Sequence, residues 1–172
     1  MSRQGYLVQE EGLCGRTTIF DDPLRAGRRG TELLPVVLET HSPIDIVILM
    51  LGTNDCKTIF GASAEIIGKG IVRLLEQINQ YADKMKVLVI SPIYLGEKVW
   101  QDGYDQEFSP EFVEVSKKLE PVYEKVAGKY GKRFMRAADY ASPSEADQEH
   151  MDGQSHKILA DAIYRKLEAE IL

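Results

Sequence analysis

The chain reads as an α/β protein, a parallel sheet with helices on both faces. Apolar runs alternate with amphipathic helical stretches along the sequence, which is the pattern of βαβ units. Residues 46–51 are apolar at six consecutive positions, as in strands that are covered on both sides. No break in composition divides the 172 residues, a length that suits one domain with a sizeable core.

Taken in order, residues 5–10, "GYLVQE", suit a short strand. Residues 32–41, "ELLPVVLETH", read as a helix, with Pro35 tolerated near its first turn. The apolar run over 45–51 is a strand. From 63 to 82, Ile67, Ile71, Leu74, Ile78 and Tyr81 share one helical stripe, and Ser63 suits the N-cap. Residues 85–91, "MKVLVIS", form another apolar strand, ended by Pro92. A long irregular connection over 93–109 carries Trp100, Tyr104 and Phe108, which either wall a pocket or cover the sheet. Phe112, Val115, Leu119, Val122, Val126 and Tyr130 mark a second long helix. Residues 132–138 suit a fourth strand, and Leu159, Ile163, Leu167 and Ile171 mark the last helix.

Composition narrows the function. The net charge of -6 argues against nucleic acid or an anionic membrane as partner. No apolar run approaches the length of a membrane span, and the first residues lack the apolar core of a signal peptide. Cys14 and Cys56 show no metal-type spacing. They read as two reduced thiols of a cytoplasmic protein, with no cofactor or metal implied.

Two stretches suggest chemistry. In "PIDIVILMLGTNDCK" the strand empties into Gly52, Thr53, Asn54 and Asp55. Open parallel sheets bind ligands beyond the carboxyl ends of their strands. An asparagine there can aim its amide at a forming oxyanion; the alternative is an ordinary turn. The second stretch, "SEADQEHMDGQSHKILADAI", holds two pairings, Asp147 with His150 and Asp152 with His156. Asp152 is placed to cap the last helix, and His156 then falls at the positive end of that helix, where an imidazolium is disfavoured. His150 lies ahead of the cap, with Asp147 close enough to fix its tautomer. Asp147 and His150 are therefore the preferred pair, against the plainer reading of a solvated loop histidine. In "EEGLCGRTT", Gly12 and Gly15 allow backbone N–H groups to approach a ligand, although they equally suit a common turn.

With these residues in place, the chain resembles the SGNH, or GDSL, hydrolase superfamily. "EEGLCGRTT" resembles its second sequence block, which implies Gly15 N–H as an oxyanion donor. "LMLGTND" resembles the third block, which implies Asn54 as the side-chain donor. "DQEHMDGQSHKILADAI" resembles the last block, which implies Asp147 and His150 as acid and base. "FDDPL", "LLP" and "HSPIDIVILMLGTND" extend the likeness toward the arylesterase and acyltransferase branch. The resemblance implies a three-layer α/β/α fold on a flavodoxin-like parallel sheet of five strands in the order 2-1-3-4-5. It also implies a carboxylic-ester hydrolase that works through an acyl-enzyme on small ester substrates.

One departure stands out. The family's first block, a strand followed by Gly-Asp-Ser, has no match before "YLVQEEG". Ser2, Ser42, Ser63, Ser91 and Ser155 do not fit the nucleophile's role, so none is identified. The domain is accordingly expected to lack its first strand, and the chain to turn over esters very poorly. Cys14 and Cys56 flank the expected oxyanion hole, but neither sits at a strand-to-helix elbow. The arginines of "RTTIFDDPLRAGRRG" are expected to pair with Asp21 and Asp22 in solvent. A non-catalytic binding or assembly protein with the same fold is the competing reading. A bare edge beside 45–51 further implies a homo-oligomer, or residues 5–10 moved in against it.

Overall fold

The computed structural model describes residues 6–81 and 85–171. Among the described residues three parallel strands form the sheet: β1 (Ile46–Leu49), β2 (Lys86–Ser91) and β3 (Arg133–Arg136), in that spatial order. Ile46 pairs with Lys86, and Leu88 with Arg133. This order is that of the last three strands the resemblance implied. The described residues also form the helices α1 (Gly30–Thr40), α2 (Ala64–Tyr81), α3 (Pro110–Lys129) and α4 (Gly153–Glu170).

The alternation of side chains along β2 divides the core. Val87 and Val89 join Leu38 of α1, Ile67 and Ile71 of α2, and Leu119 and Tyr123 of α3 on one face. Leu88 and Ile90 point the other way and pack with Met135 of β3 and Leu159 of α4. The result is the three-layer α/β/α arrangement, and it explains why β2 is apolar at both parities.

Pro35 lies inside α1 rather than at its first turn, because the helix begins at Gly30. A proline there cannot donate to the carbonyl four residues earlier. That carbonyl, of Thr31, accepts from Gln77 Nε2 at 2.7 Å instead. Ser63 caps α2 as expected, its Oγ accepting from Ile66 N at 3.4 Å. Residue 82, at the expected end of that helix, lies outside the described residues.

Two expectations are corrected. Residues 6–10 form no strand, and residue 5 lies outside the described residues. Leu7 is 85% and Val8 64% exposed, since a strand needs a neighbour to satisfy its backbone. Residues 132–138 supply the third strand, not the fourth, and it ends at Arg136 in a short 3₁₀ turn. Among the described residues β1 pairs with β2 alone. Ile48 in this edge strand is 45% exposed. No described helix is long and apolar enough to cross a membrane.

The strand expected over 45–51 ends at Leu49, and Gly52 follows shortly after it. Its φ of 128° is closed to other L-residues, and a Cβ there would overlap the Tyr123 hydroxyl. That hydroxyl donates to Leu51 O at 2.9 Å. The chain end of β1 is thus clamped directly onto α3.

Candidate active site

Asp147 and His150 meet directly. His150 Nδ1 lies 2.8 Å from Asp147 Oδ2. The other carboxylate oxygen accepts from His150 N at 2.9 Å, Glu149 N at 3.0 Å and Ser144 Oγ at 3.1 Å. Burial works to raise the Asp147 pKa, but these four hydrogen bonds outweigh it and hold the carboxyl at about 2. An ionised carboxylate can only accept, so Nδ1 carries the ring proton and Nε2 keeps the lone pair. The ring is open to solvent, at 60% side-chain exposure.

The loop that presents this pair is tightly built. Ser144 N donates to His150 O at 2.7 Å, and Gln148 N to Ser144 O at 2.9 Å. Gln148 is buried and takes a φ of 62°, a left-handed conformation costly for its side chain. Gly96 N grips Gln148 O at 2.7 Å from the 93–109 connection, and any Cβ on Gly96 would collide with the Gln148 side chain. Asp152 caps α4 as expected, accepting from Ser155 N at 2.7 Å, and His156 falls in the first turn.

Asn54 opens a 3₁₀ turn just beyond β1. Gly15 sits in a turn with φ 83° and is buried. Their two segments are tied together by Asp55, a role that sequence reading missed. Both Asp55 oxygens accept from Thr18 N at 2.9 Å, and Thr18 Oγ1 donates to the same carboxylate. Asp55 is fully buried. Burial pushes its pKa up to about 6 against the pull of these hydrogen bonds.

A second unforeseen group surrounds Lys57, whose side chain is only 3% exposed. Its Nζ lies 2.8 Å from Glu107 Oε2 and 3.7 Å from Asp22 Oδ2. Arg25 Nη1 donates to both Glu107 oxygens at 3.0 Å, and Thr58 N donates to Glu107 O at 2.7 Å. The 93–109 connection is thereby pinned to the turn that follows Asn54. Its aromatics divide: Phe108 is buried in the core, whereas Trp100 is exposed. Arg29 pairs with Asp21 at 3.0 Å, as expected, but Arg25 reaches beyond Asp22 to Glu107.

The cysteines differ from each other. Cys56 is fully buried, and burial pushes its thiol well above the usual range. Cys14 is exposed. Among the described residues no serine hydroxyl hydrogen-bonds to His150; Ser116 bonds Leu95 N and Val113 O, and Ser91 is buried at the end of β2.

Comparison with known proteins agrees with this architecture. Residues 2–157 match the model of the GDSL-like lipase/acylhydrolase family, and the chain belongs to that family. A carbohydrate acetylesterase from Sinorhizobium meliloti is 35% identical and superposes with a TM-score of 0.84, over 93% of this chain and 77% of its own. The native aryl esterase of M. smegmatis is 30% identical with a TM-score of 0.84, over 95% and 78%. Among curated proteins none matches the chain.

Proposed function

We propose that the chain is the body of a carboxylic-ester hydrolase that works through an acyl-enzyme on small ester substrates. The observation that carries this reading is the 2.8 Å contact between His150 Nδ1 and Asp147, which leaves Nε2 as a base. Family membership and the esterases among the structural neighbours support the reaction class.

In this reading His150 Nε2 takes the proton of a serine hydroxyl as that oxygen attacks the ester carbonyl. Asp147 holds the ring and stabilises its cation. The Gly15 N–H and the Asn54 amide receive the developing oxyanion. His150 then returns the proton to the leaving alcohol, and water or another alcohol accepts the acyl group. No serine within residues 1–172 fits as the nucleophile, and no strand–Gly-Asp-Ser block is among them; in this reading they are a single domain that by itself turns over esters very poorly. Two free cysteines accord with a cytoplasmic location.

The test is hydrolysis of a short-chain aryl ester by the chain alone and by the chain preceded by a strand–Gly-Asp-Ser block. We expect near-background turnover in the first and robust turnover in the second, abolished by His150→Ala. Full activity of the second form with His150→Ala in place would overturn the reading.

A further inference from the structure

We propose that Glu149 is a positioning residue for His150, a second carboxylate that stabilises the ring's cation beside Asp147. The inference rests on the reading of His150 as the base. Glu149 Oε2 lies 3.8 Å from His150 Nδ1, and the Glu149 side chain is only 13% exposed. Asp147, by contrast, is 44% exposed. Among the described residues no hydrogen bond to the Glu149 carboxylate is formed, so its charge is offset by neighbouring charges alone.

Those charges come from three elements. Asp147 and His150 share its loop, Asp105 stands on the 93–109 connection, and Lys57 on the turn after β1. Burial raises the Glu149 pKa most, and Asp105 and Asp147 add to that, whereas His150 and Lys57 draw it down. Ionisation of Glu149 is therefore favoured when His150 becomes a cation. The Asp147 carboxylate is already ionised and hydrogen-bonded, and it fixes the tautomer. Glu149 is too far for that bond and acts through charge, at the step where the ring holds the proton taken from the nucleophile. A glutamine at 149 would keep the shape and lose the effect.

The experiment follows the histidine ring signals by NMR through a pH titration of the whole chain. In Glu149→Gln the His150 midpoint is expected to fall by about half a pH unit, the pull of one screened carboxylate, while His41 and His156 stay put. An unchanged His150 midpoint overturns the proposal. Should that variant fail to fold, the wild-type chain decides. The Glu149 carboxyl carbon should show a second step coinciding with His150 protonation, and a single independent step overturns the proposal. Neither readout depends on turnover. Loss of the base assignment in the ester assay would thus leave this result standing, and the reverse also holds.

Discussion

The peptide nitrogen of Thr18 lies 2.9 Å from each carboxylate oxygen of Asp55, and both residues are fully buried. One side chain therefore fastens the turn that carries Gly15 to the turn that carries Asn54. Asp55→Ala strands the Thr18 N–H and hydroxyl without a partner. A buried orphan of this kind costs about 1–3 kcal/mol. Urea unfolding at neutral pH should show a loss of roughly that size, with Asp55→Asn losing less. Equal stability of Asp55→Ala and wild type would remove the clamp from the account.

The two carboxylates of this region respond to pH with opposite sign. Asp55 is raised from 3.8 to about 6 in the fold, so its contribution is complete below 3.8 and is lost as pH rises through about 6. Asp147 is lowered from 3.8 to about 2, so its contribution is present above 3.8 and is lost as pH falls through about 2. Wild type should gain roughly 2 kcal/mol over Asp55→Asn between pH 6 and pH 4. Parallel stability curves for the two proteins would contradict this.

Gly52→Ala should cost about 4 kcal/mol, from a backbone angle closed to alanine and from overlap with the Tyr123 hydroxyl. Tyr123→Phe removes the hydroxyl but not the backbone problem. In that background Gly52→Ala should cost about 1 kcal/mol less, as a double-mutant cycle of chemical denaturation would report. Additive losses would show that the hydroxyl is not in the way.

In the form supplied with a Gly-Asp-Ser block, Asn54→Ala should lower turnover roughly 10²–10³-fold, the usual loss for one oxyanion donor. Gly96→Ala should disturb the same assay indirectly, by pushing Gln148 and the His150 loop out of place. The His150 ring signals should then shift while those of His41 do not.

We further propose that the open side of β1 is covered by a second copy of the chain. The exposed apolar residues Leu7, Val8, Ile48 and Met50 motivate this. Light scattering should give a mass at or above that of a dimer. Ile48→Lys should reduce it toward the monomer, and a wild-type monomer at all concentrations would refute the idea.

Much of this architecture was legible in the sequence. Six consecutive apolar residues announced β1, and 3.6-residue stripes announced α2, α3 and α4. The contact of Asp147 with His150 was legible because it spans three residues, which spacing can reveal. Residues 6–10 misled because their composition suits a strand, whereas strand formation depends on a neighbour. Thr18 with Asp55 and Lys57 with Glu107 left no trace, since each joins segments far apart in the chain. Lys57 in particular reads as a solvated lysine until its burial is seen.

The separation of partners along the chain has a consequence for the order in which the site assembles. Asp147 and His150 can meet by closing a loop of three residues, whereas Thr18 and Asp55 are 37 apart. Loop-closure entropy makes the short contact cheap and the long one conditional on the rest of the fold. A chain that is collapsed but not yet fully packed would hold its histidine and aspartate together before the turns of Gly15 and Asn54 are fastened to each other. The dyad therefore reports local order, and the Asp55 clamp reports completion of the domain.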